Sequence, residues 1–91
     1  MIFNQNEIKK LAEGDVRVFT ALHQAFFPKI HQFALMLLKD NQDADDVCQI
    51  IFTKVWVKRE NLSEVTNLDG YLFTLSKNSI IDYLSSKKNK K

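Results

Sequence analysis

Asp43, Asp45 and Asp46 put three carboxylates into four residues, and the stretch they open, DADDVCQIIFTKVW, then turns apolar. Carboxylates this close can bind a hard cation, share acid–base work, or start a helix by facing its partly positive N-terminus. A calcium loop beginning at Asp43 needs glycine at its sixth position and glutamate at its twelfth, where Cys48 and Lys54 stand. Nothing nearby supplies the third polar group of a hydrolytic site. The helix start remains, in which a carboxylate gains roughly 0.3–1 kcal/mol from the helix dipole.

The other reactive side chains point the same way. His23 and His31 lie near an apolar stripe with no cysteine or carboxylate at ligand spacing, so they read as core-edge residues. Cys48 falls within an apolar stripe and reads as a small buried hydrophobe. Ser76, Ser79, Ser85 and Ser86 have no histidine placed near them. The expectation is a non-enzymatic chain with no metal and no cofactor.

Charge is more informative by position than in total. The net charge is only +2, yet Asp40, Asp43, Asp45, Asp46, Glu60, Glu64 and Asp69 face just Lys54, Lys58 and Arg59 across the middle of the chain. From Lys77 onward, Lys87, Lys88, Lys90 and Lys91 join it against Asp82 alone. Either two partners of opposite charge are met, or one face is simply solvated and a lysine tail follows. The closing stretch LFTLSKNSIIDYLSSKKNKK mixes lysines, hydroxyls, amides and aromatics, groups that bond phosphates and stack on bases.

These residues need a frame. Ninety-one residues make one domain, burying roughly 60–65% of its unfolded surface. Two glycines and one proline leave little material for tight turns, which favours an all-α fold. No apolar run approaches the ~18 residues of a membrane span, and the N-terminus lacks a signal-peptide pattern. The single cysteine cannot form an internal disulfide, which suits a reducing cytoplasm.

Four helices are expected. NEIKKLAEG is a short helix stopped by Gly14, and Asp15 caps the next. From Phe19 through Leu22, Phe26, Ile30, Phe33 and Ala34 to Leu37, apolar residues recur at three and four. Pro28 interrupts this run, but the stripe stays in phase, so a kinked continuous helix is expected. The third helix runs from an Asp43 N-cap, reciprocated by Asp46, to about Arg59. Its inward stripe is Ala44, Val47, Cys48, Ile51, Phe52 and Val55, with Trp56 at the edge. ENLSEVTN reads as a loop. The last helix starts near Leu68, with Tyr71, Leu72 and Leu75 on one face and Phe73, Ile80 and Leu84 nearly opposite. A helix apolar on both sides is central or covered by a partner.

The back of the third helix carries Gln42, Asp46, Gln49, Ile50, Thr53 and Val57. This is either a mixed polar–apolar docking strip or two scattered exposed aliphatics on a solvated face.

The order of these motifs resembles the second region of bacterial RNA polymerase sigma factors of the extracytoplasmic-function class. The resemblance rests on FTALHQAFFPKIHQFALMLLKDNQDADDVCQIIFTKVW followed by NLDGYLFTLSKNSIIDYL, from about Asp15 to Lys88. It implies a compact bundle of four to five helices with two working surfaces. One docks on a coiled coil of the polymerase's largest subunit, through Asp45, Asp46, Gln49, Thr53 and Ile50, the last standing where the family often has glutamate. The other captures the single-stranded minus-ten element of the promoter. There Asn61, Ser63, Glu64, Val65, Thr66 and Asn67 form the region of a pocket for a flipped base. Lys77, Asn78, Ile81, Ser85, Ser86, Lys87 and Lys88 follow the strand. Lys77 replaces the family's usual arginine, keeping charge but not the bidentate fork, and serines replace the arginines that often follow DYL.

The resemblance implies promoter recognition and melting in transcription initiation, in the bacterial cytoplasm, with an anti-sigma factor as a further candidate partner. It also implies a core over residues 8–84. Residues 85–91 would be a basic tail leading to a C-terminal domain that is not in this chain, as in a truncated fragment. Two rivals remain: a helical adaptor that binds polymerase or an anti-sigma factor without specific DNA binding, and a small helix-turn-helix repressor.

Overall fold

The computed structural model describes residues 3–89, and in the last helix the side chains through Lys87. Four α-helices and one short 3-10 turn follow in order: α1 (Gln5–Ala12), α2 (Val16–Leu38), α3 (Asn41–Val57), the turn Arg59–Glu64, and α4 (Leu68–Asn89). Among the described residues no helix is long and apolar enough to cross a membrane.

Each helix end has a local cause. Asn4 and Glu7 form a reciprocal cap at the start of α1, with the Glu7 N–H donating to Asn4 Oδ1 at 2.9 Å. Gly14 ends α1 at φ +97°, a left-handed conformation that glycine adopts without steric cost. Asp15 then caps α2, its Oδ1 accepting from the Arg17 and Val18 N–H groups. Pro28 lies inside α2 on an exposed position, and the helix continues through it.

The start of α3 differs from expectation. Lys39 closes α2 in the left-handed region at φ 58°, its N–H donating to the Leu35 carbonyl at 2.8 Å. The chain then extends at Asp40, which becomes the N-cap by accepting from the Asp43 N–H at 2.9 Å. Asp43 therefore sits in the first turn, and its carboxylate is free to bond elsewhere. The far end also differs: α3 stops at Val57, and the expected loop is a 3-10 turn from Arg59 to Glu64. Leu62 anchors that turn by complete burial, and α1 packs against it.

The core gathers Leu22, Ile30 and Ala34 of α2 with the whole expected stripe of α3, from Ala44 to Val55. Burial of these apolar side chains is the main stabilising term, about 1.5–3 kcal/mol for each large one. Trp56 is half-buried, edge-on to Phe19 at 5.1 Å, with the Arg59 guanidinium 4.3 Å over its ring. On α4 the buried stripe is Leu68, Leu72, Ser76, Ser79 and Ile80. Ile80 thus shares a face with Leu72 rather than opposing it, because two serines fill the middle of the stripe and hide its period. Phe73, Ile81 and Leu84 face outward.

Candidate functional site

Two outward surfaces hold the residues with chemistry, and each is built on a helix whose other side is locked in the core. On α3, Asp46, Gln49, Ile50, Thr53 and Lys54 line one shallow depression of about 470 Å³. Asp46 accepts from Gln42 Nε2 at 2.9 Å, one turn earlier on the same helix. Gln49 and Thr53 are exposed, Ile50 is 40% exposed, and Val57 extends the strip at 68%. The mixed strip is therefore a continuous surface with an aliphatic centre. Lys54 had no assigned place on it, although it follows Ile50 by one helical turn. Its ammonium reaches across to α4 and donates to Ser79 Oγ at 3.0 Å.

Asp45 is set apart from this group. It lies about 100° around the helix from Asp46, on the flank facing α2, where its Oδ1 is 2.9 Å from His31 Nε2. The pairing joins residues fourteen apart, and no local pattern announces it. His23 stacks against Phe27 and Phe52 instead.

Asp43 ties the start of α3 to the end of α4. It accepts the Tyr83 hydroxyl at 3.0 Å and forms an ion pair with Lys87. The Lys87 ammonium holds the Asp43 carboxyl below its ordinary value, and Asp43 in turn raises Lys87. Burial, then the bond to Asp43, pushes the Tyr83 phenol up to about 12. Lys87, one of the lysines expected on the nucleic-acid side, is thus engaged within the chain. The thiol of Cys48 is pushed up to about 11, chiefly by burial, which keeps it protonated and unreactive at neutral pH.

The second surface is formed by the 3-10 turn, residues 65–67 and the outer side of α4. Asn61, Ser63, Glu64, Thr66 and Asn67 are exposed and Val65 is half-buried, while Leu62 points inward. Ser63 Oγ donates to the Glu60 carbonyl at 3.0 Å, stiffening the turn. Asn67 Oδ1 accepts from the Gly70 N–H at 3.1 Å, which makes it the cap of α4. A β-carbon at Gly70 would come within 2.9 Å of the Asn67 amide, so glycine is what lets this cap close. Lys77, Asn78 and Ile81 lie together on the exposed side of α4, followed by exposed Ser85 and Ser86. The Lys88 side chain lies outside the described residues.

The first surface can hold a mixed polar and aliphatic protein face. The second offers a cation, amides and hydroxyls, groups that contact phosphates and base edges. Among the described residues no group of three or more His, Cys, Asp or Glu could hold a metal ion.

Residues 22–90 match the family model described as Sigma-70 region 2. Over 51 residues the chain is 33% identical to the RNA polymerase sigma factor SigZ of Bacillus subtilis (strain 168). That stretch covers 56% of this chain and 29% of the SigZ chain, so the match spans under a third of that relative's length. No solved structure matches the chain.

Proposed function

The chain belongs to the Sigma-70 region 2 family, and on that premise we propose that it recognises and melts the promoter minus-ten element as part of a sigma factor, directing transcription initiation. The observation that carries this reading is the pair of uncovered surfaces on one packed bundle. The strip of Asp46, Gln49, Ile50 and Thr53 is open on α3, and the turn with Lys77, Asn78 and Ile81 is open beside and along α4.

Each surface has a distinct task. The α3 strip would dock on the RNA polymerase core, at a coiled coil of its largest subunit, with Ile50 buried at the centre and Asp46 facing a basic side chain. Asp45, turned toward His31, would sit at the margin of that contact. Bond-making belongs to the polymerase; this chain supplies position and strand capture. Extracting a base from the duplex costs a few kcal/mol, and stacking with base-edge bonds must offset it. Exposed Asn61, Ser63, Glu64 and Thr66, with half-buried Val65, would receive the base, with Asn67 chiefly holding α4 in place. Lys77, Asn78, Ile81, Ser85 and Ser86 would follow the strand. Lys87 would reach a phosphate only by leaving Asp43.

The sequence features fit the extracytoplasmic-function class, acting in the bacterial cytoplasm, and an anti-sigma factor would compete for the same surfaces. The experiment is selection from a random pool of single-stranded DNA by the chain, followed by titration of the enriched strand at several salt concentrations. The expected result is one enriched motif, with log affinity falling linearly in log salt at a slope near −0.7 per phosphate contacted. Salt-insensitive binding, or no enriched motif alongside firm polymerase binding, would assign the chain to an adaptor role instead.

A further inference from the structure

Between α2 and α4 lies a groove of about 380 Å³, within the range of small-ligand pockets, roughly 300–1,000 Å³. Its walls are Phe26, Ile30 and Phe33 of α2 with Leu72 and Phe73 of α4. The Phe33 and Phe73 rings are 5.4 Å apart, and Phe73 is 56% exposed. Lys29 and Asp69 also line it, and neither forms an ion pair among the described residues. Ser76 lines it too: it is 1% exposed, and its hydroxyl has no hydrogen-bond partner among the described residues.

These features restrict the occupant. A buried hydroxyl left unpaired is destabilising, so an aliphatic side chain entering the groove would satisfy the walls and leave Ser76 unmet. A phosphate alone would use Lys29 and ignore the rings. An unstacked nucleotide uses all of them: the base stacks on phenylalanine, a ring nitrogen or exocyclic group pairs with the Ser76 hydroxyl, and Lys29 meets the phosphate. Phe73 also lies one helical turn before Lys77, so the groove opens beside the strand-facing side of α4.

We propose that this groove is a second base-binding site, taking an unstacked base of the same single strand that the 59–67 turn and the outer side of α4 engage. The proposal rests on the strand-capture reading and adds a site to it.

The test uses the whole chain and the strand selected above, with a single abasic position moved along it. In the unmodified protein one abasic position should weaken binding at least about fivefold, the low end of base–aromatic stacking. In Phe73→Ala the intact strand should bind about as weakly, and the same abasic position should cost nothing more. Ser76→Ala should lower affinity about threefold while the melting temperature holds or rises, because an unpaired hydroxyl has been removed. Unchanged strand affinity in both variants, or a Phe73→Ala loss equal at every abasic position, overturns the site and leaves strand capture standing. Loss of polymerase binding with strand binding intact also overturns it, by assigning the groove to a protein. Failure of the unmodified chain to bind any strand overturns this site and the proposed function together.

Discussion

α3 and α4 border the same core but meet it with different chemistry. The inward stripe of α3 is wholly apolar, from Ala44 through Val47, Cys48, Ile51 and Phe52 to Val55. α4 places Ser76 and Ser79 between Leu72 and Ile80. Ser79 is satisfied by Lys54, while Ser76 has no hydrogen-bond partner among the described residues. A helix held by fewer apolar contacts opens at lower free energy. The strip proposed to dock on polymerase therefore sits on the more firmly held helix, and the side proposed to capture the strand on the one better able to adjust. A docking surface profits from fixed positions, whereas capture of a flexible strand profits from some give.

The sharpest way to break this contrast is paired truncation. Ile51→Ala, at a fully buried site, should cost about 2–5 kcal/mol in chemical denaturation. Ser79→Ala should cost about 1 kcal/mol or less, the net worth of one hydrogen bond. Equal losses would mean that both helices are held alike.

The link between the two helices comes next. Tyr83→Phe removes the hydroxyl that bonds Asp43 and should cost about 0.5–1.5 kcal/mol. The link also has a pH signature. Asp43 titrates below its ordinary 3.8 in the fold, so its contribution is complete above that value and is lost as pH falls through the lower, folded one. Tyr83 and Lys87 are raised above 10.0 and 10.5, Tyr83 to about 12. Their share is complete below those values and is lost as pH rises beyond them. Asp43→Asn should flatten the acid limb of a melting-temperature profile below about pH 4. An unchanged limb would show that the acid sensitivity arises elsewhere.

The smallest expected effect lies in the α2–α3 corner. Lys39 holds a left-handed conformation that costs a residue with a β-carbon roughly 1–2 kcal/mol. Glycine relieves that cost but loses more backbone entropy on folding. Lys39→Gly should therefore stabilise by about 0.5–1 kcal/mol, and a lower melting temperature would contradict the assigned geometry.

How far the sequence carries depends on how locally each feature is determined. The stripe of α3 and the stop at Gly14 follow from spacing and residue type and stand in the structure. The α2 stripe holds from Phe19 to Ala34, but Leu37 is 44% exposed and Leu38 packs against the core in its place. The N-cap falls at Asp40 rather than Asp43 because the choice turns on the conformation of Lys39, which no composition rule anticipates. The buried face of α4 differs from the one its apolar spacing suggests because Ser76 and Ser79 lie where apolar residues would mark the period. The turn at Arg59–Glu64 has no apolar repeat, and its single anchor, Leu62, carries no periodic signal. On the candidate site, exposure of Gln49, Ile50, Thr53, Lys77 and Asn78 was readable from helical phase. The bonds of Asp45 to His31, Lys54 to Ser79 and Asp43 to Tyr83 and Lys87 were not, since they join residues 14, 25, 40 and 44 apart.

The central claim is that one bundle carries two separable surfaces, and two charge reversals test it most directly. Asp46→Arg and Lys77→Glu would each be titrated against core polymerase and against the selected single strand, with folding checked by circular dichroism. The account predicts that Asp46→Arg weakens polymerase binding at least about tenfold and leaves the strand untouched, while Lys77→Glu does the reverse. Parallel loss of both activities in either folded variant, or no loss in either, would contradict it.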